Sequence, residues 1–324
     1  MRPLFFGLAG ALFCPFAGQK APTRQPMWCM DEGAMAEYAC AMRLALMTCL
    51  TMVAFAANSI LNRLAVDSGA IDPSSFAVIR VLSGAVVLGM ILSVRGGGLP
   101  VFAKGRALGV LSLSVYMIGF SLAYVTLDAG LGALILFGTV QVTMFGWSAV
   151  RGAVPSARQL LGAAVAFSGL AYALWPGEGG SPTHVSGAVF MVCAGIGWAA
   201  YTLAGRGAQD PLAATAANFV LTLPLMLILL LGASLSAAPS GIALAIVCGG
   251  VTSGLGYALW YRVLPQLAAQ TAAVLQLSVP IIAIAGGAVL LGEAVGLDLV
   301  LSAVLVLGGI ALAITAPKAP ADRT

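Results

Sequence analysis

An arginine stands inside an apolar stretch of the chain, at Arg80, seven residues after Pro73. If that stretch crosses a membrane, the ionised side chain is costly unless it is paired or faces water, so Arg80 is a candidate for binding an anionic group. A structural role is also compatible with the sequence: Arg80 snorkels outward, or it pairs with Asp67 or Asp72 and holds the adjoining loop. Arg80 is the first candidate for function, with these alternatives open.

Polar and aromatic side chains recur at helical spacing in the other apolar stretches. Spacings of three, four or eight residues place each set on one helix face, where rings could supply apolar contact and amides could orient a ligand in a central cavity. The same residue types also bond between helices and anchor at membrane interfaces, so each has a structural alternative. The residues that we assign to a substrate pathway with Arg80 are Asn58, Tyr116, Thr139, Gln141, Thr143, Trp147, Trp198, Tyr201, Asn218, Tyr257, Trp260, Gln276 and Pro280.

Proline and acidic residues bear on motion and coupling. Pro280 predicts a bend, because proline frees a backbone carbonyl; the bend suits a moving element, and the alternative is a static kink filled by a neighbour. Glu293 lies at a predicted helix end, where we expect a cap or interface contact rather than a proton carrier. No Asp or Glu lies in the middle of a predicted span, so obligatory proton coupling has no support. Facilitated diffusion, exchange and coupling through a boundary acid stay open.

Metal, cofactor and enzyme chemistry find no support in the sequence. The six cysteines form no CxxC pair and no metal-ligand spacing, so we expect inert thiols, and the single histidine, His184, is predicted at a helix end. We therefore expect no metal and no cofactor. A DxD motif and a GxSG motif with an intramembrane histidine are both lacking, which disfavours a membrane-embedded enzyme. The net charge of +4 does not indicate nucleic acid, since the basic residues fall in loops without clustering.

The elements that position the candidate residues are predicted to be membrane helices. The 324 residues are 60% hydrophobic and 8% charged, whereas a soluble domain is about a quarter charged. Apolar stretches of roughly 20 residues recur, each long enough to cross ~30 Å of hydrocarbon as a helix. The sequence predicts an all-α integral membrane protein with ten transmembrane helices, near residues 44–66, 74–94, 107–126, 129–150, 157–175, 184–204, 213–233, 241–261, 268–291 and 296–316.

Basic residues predict the orientation, because loops rich in Lys and Arg stay in the cytoplasm. One alternate set of loops, with the tail, carries Arg95, Lys104, Arg106, Arg151, Arg158, Arg206, Arg262, Lys318 and Arg323. The opposite set carries Asp67, Asp72, Asp128, Glu178, Glu293 and Asp298, with Arg63 just inside the first span. Both termini are thus predicted to be cytoplasmic, in a multi-pass protein of the inner (plasma) membrane.

The chain also divides into a leader and two similar halves. Residues 1–42 are interrupted by Pro15 and predict a poorly ordered, dispensable leader, residues 43–176 and 183–317 each hold five spans, and residues 318–324 form a tail. Five spans are an odd number, so the second half enters the membrane from the opposite side, as in the inverted repeats of secondary transporters. An offset of about 140 residues relates the halves; it matches Pro73 with Pro211, Arg80 with Asn218, Leu136 with Leu275, Gln141 with Pro280, Gly162 with Ser302, and Gly169 with Gly309.

The chain resembles the drug/metabolite transporter superfamily, and within it the EamA-like ten-span transporters. The resemblance is most specific in AAVLQLSVPIIAIAGGAVLLGE, Ala272 to Glu293, and continues through the glycine-containing segment from Ser302 to Ile310. Arg80 also matches a common family arginine. Two positions depart from the family pattern, with Gln141 where proline is frequent and Val154 where glutamate is frequent.

The resemblance and the repeat together imply a secondary transporter of small metabolites that works by alternating access. We expect an exporter of amino acids or related compounds, with the lipid bilayer and a small-molecule substrate as partners and with either a monomer or a homodimer as the oligomeric state. Two alternatives stay open, a non-transporting membrane sensor or partner subunit and, with less support, a membrane-embedded enzyme. The identity of the substrate does not follow from the sequence, since few cavity residues set specificity.

Overall fold

The computed structural model describes residues 32–103, 105–152, 156–174, 182–205, 208–231, 235–267, 272 and 275–314. Several predictions fall outside these residues: those on residues 1–31 of the leader, on the tail at 318–324, and on Lys104, Val154, Glu178 and Arg206.

Helices account for the architecture of the described residues. They are α1 Glu32–Asp67, α2 Pro73–Val94, α3 Arg106–Ala123, α4 Ala129–Val150, α5 Ala157–Leu174, α6 Pro182–Gly205, α7 Pro211–Ile228, α8 Pro239–Gln266, α9 Ser278–Leu291 and α10 Leu297–Ile314. Eight of the described helices are long and apolar enough to cross a membrane, and α9 is a shorter apolar helix. The prediction of a helical membrane protein is therefore confirmed for the described residues, whereas the predicted number of ten spans, against eight such helices here, stays a prediction.

The starts of α2 and α7 follow from an Asp-Pro pair at each position. Asp72 accepts hydrogen bonds from two backbone N–H groups of the first turn of α2, at 3.1 and 3.0 Å. Asp210 does the same for α7, with both distances 3.1 Å. Aspartate satisfies N–H groups that have no partner within the helix, and the following proline loses nothing because its N–H would be unpaired there. Both helices therefore begin where the sequence predicts.

Two helix boundaries differ from the expected ones. Helix α1 begins at Glu32, well before the predicted span at residue 44. Residues 275 and 276 are helical, Leu277 is a turn, and helix α9 begins at Ser278, so Pro280 occupies the first turn of α9 directly after an interruption of the predicted span. A proline cannot supply the N–H that an uninterrupted helix needs at that position, whereas the first turn does not need it.

The cysteines also depart in part from expectation. Cys49, Cys193 and Cys248 are free thiols. Cys40, near the beginning of α1, is disulfide-bonded, which corrects the expectation of an inert thiol at this position.

Contacts between loops join segments at the same end of the helix bundle. The loop after α1 bridges to the segment before α8 through Asp72 N and the Ser236 carbonyl, at 2.8 Å, and at the same end Tyr172 donates to Asp298 at 2.7 Å. At the other end, Arg95 pairs with Asp210 across 3.4 Å. Segments at the predicted outer end of the bundle thus contact one another, and segments at the predicted inner end also contact one another.

Helices α5 and α10 approach each other through glycines. A Cβ atom on Gly162 would lie 2.6 Å from the carbonyl oxygen of Gly309, and a Cβ atom on Gly309 would lie 2.6 Å from the carbonyl oxygen of Gly162. Side chains cannot be inserted at such distances, so both positions need glycine for the two backbones to pack. This is the close approach that small residues allow between membrane helices.

We expect Gly309→Ala to destabilise the protein by about 1–3 kcal/mol, because the new methyl group must displace the backbone of α5. Gly308→Ala is the matched control, since a Cβ atom there meets nothing within 4 Å and both substitutions gain the same helix propensity. Thermal unfolding of the purified protein in detergent measures the difference. Equal melting temperatures for the two variants would contradict the glycine contact.

Candidate functional site

Arg80 is fully enclosed in the bundle, with 0% of its surface exposed. Its Nε donates to Ser253 Oγ at 3.2 Å, and its Nη2 donates to Asn58 Oδ1 and to the Tyr116 hydroxyl, each at 3.1 Å. These partners come from α8, α1 and α3, so the guanidinium on α2 joins four helices. The structure thus brings together three of the residues that the sequence assigns to a substrate pathway, Arg80, Asn58 and Tyr116.

The structural alternatives for Arg80 are wrong. Its side chain does not snorkel, because no part of it reaches the surface. Asp67 instead pairs with Arg63 at 3.0 Å, and Asp72 caps α2. Among the described residues, no carboxylate forms a salt bridge with Arg80. The charge is surrounded by neutral oxygen atoms and rings.

Asn58 organises the oxygen side of this site. Its Oδ1 accepts from Arg80 and also from Thr252 Oγ1 at 2.7 Å, Ser253 Oγ at 3.1 Å and Cys248 Sγ at 3.3 Å. One amide oxygen therefore collects donors from two helices. We call Asn58, Arg80, Tyr116, Cys248, Thr252 and Ser253 the Arg80 cluster.

A π-helical segment in α8, Cys248–Leu255, presents three of these donors. The wider π turn changes which side chains share a face, and it places Cys248, Thr252 and Ser253 together on Asn58. Glycines let this segment lie against α2: a Cβ atom on Gly84 would lie 3.1 Å from the carbonyl oxygen of Gly249. Single π turns inside α-helices are frequent at functional sites.

Aromatic rings form the other side of the site. The guanidinium carbon of Arg80 lies 4.7 Å from the ring centre of Phe120 and 5.4 Å from that of Tyr116, distances at which a ring face attracts a cation. The rings continue away from Arg80. The ring centre of Trp198 lies 4.9 Å from that of Tyr116 and 5.2 Å from that of Tyr257, and both pairs are tilted. Phe55, Tyr201 and Trp260 complete the group.

Some buried polar atoms near these rings and along α4 have no hydrogen-bond partner among the described residues. They include Nη1 of Arg80, the hydroxyl of Tyr257 and Oγ1 of Thr139. An unsatisfied buried donor or acceptor costs free energy comparable to a lost hydrogen bond, and such atoms in a native structure call for an explanation.

Asn218 lies in a different place from the Arg80 cluster. Its Oδ1 accepts from Nη1 of Arg106 at 2.9 Å, and Arg106 also donates to the carbonyls of Pro100 and Ala214. These residues line a cavity of about 580 Å³ at the end of the bundle that holds the predicted inner loops; Arg80 does not line it. The sequence brought Asn218 into the same group as Arg80, whereas the structure separates the two.

The other predicted residues differ in their degree of burial. Trp147 is 45% exposed and stacks with Arg151 at 4.7 Å, as expected for an interface residue. Gln141, Thr143 and Gln276 are partly buried, and Pro280 is buried. Their assignment to a pathway stays a prediction.

Sequence reasoning overlooked Phe55, Phe120, Cys248 and Thr252. A signal existed for two of them, because Phe120 follows Tyr116 by four residues and Phe55 precedes Asn58 by three, spacings that share a helix face. Isolated phenylalanines in a membrane span are usually interpreted as lipid-facing residues, so the two were not assigned to the site. Cys248 and Thr252 also share a helix face by their spacing of four residues, but a cysteine and a threonine at this spacing are usually interpreted as ordinary packing residues.

A second polar group, the Arg63 cluster of Arg63, Asp67, Asp128 and Glu293, lies at the opposite end from the cavity. Arg63 pairs with Asp67 at 3.0 Å, with Asp128 at 3.4 Å and with Glu293 at 3.8 Å. Glu293 also accepts from the backbone N–H of Ala129, at 2.7 Å, which is the first residue of α4. It thereby links α1 and α4 to the loop between α9 and α10.

Burial raises the pKa of Glu293, and the nearby Asp128 carboxylate acts in the same direction. The bonds from Ala129 and Gly130 and the charge of Arg63 oppose this rise without cancelling it. The expectation that Glu293 serves as a cap at a helix end agrees with these contacts, since a carboxylate at a helix N-terminus satisfies free N–H groups.

Comparison with known proteins gives the chain a family context. Residues 185–315 match the EamA-like transporter family. An uncharacterized protein of Pseudomonas aeruginosa is 45% identical over 278 residues, which cover 85% of this chain and 96% of that protein. A crystal structure of a protein with 19% identity superposes with a TM-score of 0.57 over 82% of this chain and 98% of the other, a likeness of fold alone.

The raised pKa of Glu293 predicts a pH dependence of stability. The folded protein holds this proton more tightly than the unfolded chain, whose ordinary value is 4.5, so stability from this group is present below 4.5 and is lost as pH rises through the folded pKa. We expect Glu293→Gln to flatten this slope in melting curves recorded from acid to neutral pH. Asp298→Asn, an exposed acid at the same end, should retain it; an unchanged slope in Glu293→Gln would contradict the assignment.

Proposed function

Since the chain belongs to the EamA-like transporter family, we propose that it is a secondary transporter that exports small metabolites, such as amino acids or related compounds, by alternating access. The observation that carries this proposal is the Arg80 cluster. A buried charge inside an apolar bundle, held by α1, α2, α3 and α8 without a carboxylate, is typical of a substrate or ion pathway. Family membership favours a transporter over a membrane-embedded enzyme.

The pairing of helices supports two inverted halves, α1–α5 and α6–α10. Adding five to a helix number of the first half gives its counterpart in the second. Contacts between the halves come in matching pairs under this rule. The contact of α1 with α8 matches that of α6 with α3, and the contact of α1 with α9 matches that of α6 with α4. The contact of α2 with α8 matches that of α7 with α3. Helices α2, α4 and α5 pack on their own counterparts α7, α9 and α10. This is the pattern expected of a two-fold axis lying in the membrane plane.

The two ends of the bundle differ in a way that suits alternating access. At one end, the Arg63 cluster links α1 and α4 of the first half to the α9–α10 loop of the second. At the other end lies the cavity beside Arg106. On the predicted orientation, with both termini cytoplasmic in the inner membrane, the linked end faces outward and the cavity faces the cytoplasm. The structure then corresponds to a state closed to the outside.

Transport itself is tested with purified protein in liposomes. We expect saturable flux of at least one compound from an amino-acid and small-metabolite panel, with empty vesicles as the baseline. Arg80→Ala should reduce that flux about tenfold or more, because it removes charge-assisted hydrogen bonds from the centre of the pathway. Arg95→Ala removes the same charge from the exposed end of α2 and should leave flux intact. Flux equal to empty vesicles across the whole panel would refute the transporter proposal.

The inverted repeat has its own test, the sidedness of residues 180 and 320. In a variant without native cysteines, Gly180→Cys should react with a membrane-impermeant thiol reagent added outside intact cells. Pro320→Cys should react only after the membrane is permeabilised, because the five spans between the two positions reverse the side. Reaction of both positions from the same side would exclude the inverted arrangement.

A further inference from the structure

We propose that the guanidinium of Arg80 binds one negatively charged group, either a small inorganic anion or the carboxylate of the transported compound. This assignment rests on the proposed transport function for its biological meaning, but its physical basis is independent of flux. It concerns what completes the Arg80 cluster.

The first step is the balance of charge. Arg80 is wholly buried, and its three side-chain hydrogen-bond partners, Asn58, Tyr116 and Ser253, are neutral. The salt bridges of the described residues lie elsewhere, in the Arg63 cluster at one end of the bundle and in the Arg95–Asp210 pair at the other. A buried charge is retained when it is paired, so the site favours an anion from outside the chain.

The second step is the supply of unused donors. Nη1 of Arg80 is buried and has no hydrogen-bond partner among the described residues. The Tyr257 hydroxyl also forms no hydrogen bond of good geometry with them, although it lies close to the Tyr116 hydroxyl. Tyr257 follows Ser253 by four residues on α8 and therefore shares the helix face that contacts Arg80. A guanidinium edge binds planar carboxylates and other anions with short, charge-assisted hydrogen bonds. The cluster thus offers donors to an anion and keeps its acceptors engaged.

The third step concerns the valence of the ligand. Asn58 is an amide at the position where a carboxylate would neutralise Arg80 internally, with its Oδ1 only 3.1 Å from Nη2. The charge of Arg80 therefore remains available, and it is a single charge. A monoanion balances it, whereas a dianion would leave one negative charge buried among Phe120, Trp198 and the other rings, and a cation would be repelled.

The test measures binding separately from transport. Melting curves of purified wild-type protein in detergent are recorded at constant ionic strength while sodium chloride or sodium acetate replaces sodium sulfate. A ligand that binds only the folded state raises the melting temperature in a saturable way. We expect such a rise with chloride or acetate. A response to both assigns the site to small anions in general, and a response to acetate alone assigns it to the carboxylate of the cargo.

Two variants test the charge of Arg80 in different ways: one neutralises it internally and the other removes it. Asn58→Asp supplies an internal counter-ion at hydrogen-bond distance from Arg80, so it should stay folded and weaken the anion response about tenfold or more. Arg80→Gln removes the charge and should abolish the response. Arg95→Gln changes the net charge equally at an exposed site and should respond as wild type does.

The proposal is overturned if neither anion raises the melting temperature of the wild-type protein, or if both site variants respond as strongly as Arg95→Gln. These outcomes differ from a failure of the transport proposal. A protein that binds chloride or acetate at Arg80 and carries no flux would refute transport and keep the anion site. A protein that transports its substrate but shows no anion response would keep the transport proposal and refute the anion site.

Discussion

A positive charge buried without a carboxylate partner is the constraint around which the rest of the bundle is arranged. Placing Arg80 in an apolar interior would be prohibitive without compensating dipoles, and the structure supplies them from three other helices. The π segment of α8, the amide of Asn58 and the rings of Tyr116 and Phe120 all serve this one group. Each of these elements belongs to a different helix, so stabilising the charge also ties the two halves together at their centre.

Packing between the halves then sets how that centre can be reached. Close glycine contacts between α5 and α10 hold one pair of counterpart helices together, whereas the Arg63 cluster is made of side chains whose bonds can be exchanged for water. On the proposed mechanism, rigid pairs act as the frame, and polar links such as Glu293 to the start of α4 act as the parts that open. The proposed mechanism thus needs glycine contacts that exclude water and ionic contacts that water can replace.

The sequence predicts the helices well and the site only in part, for physical reasons that differ. Apolar length and Asp-Pro pairs determine where α2 and α7 begin, so their boundaries agree with expectation. Arg80, Asn58 and Tyr116 were identifiable because polar groups in a membrane span are rare. Cys248 and Thr252 were not, because their spacing of four residues indicates a shared face but not that this face meets Asn58. Asn218 lines the cavity beside Arg106 and not the Arg80 cluster, because helical spacing gives a face but not the neighbour that the face meets.

The two halves differ in charge, and this difference bears on mechanism. The proposed repeat aligns Arg80 with Asn218, so on this alignment one half contributes an ionised group and the other an amide that bonds to Arg106. It likewise gives the second half Glu293, where the corresponding region of the first half has Val154. A perfectly symmetric duplicate would have two end states of equal energy. On the proposed inverted repeat, the carboxylate link of Glu293 has no acidic counterpart at position 154 of the sequence, so the two mouths differ in the side chains available to close them.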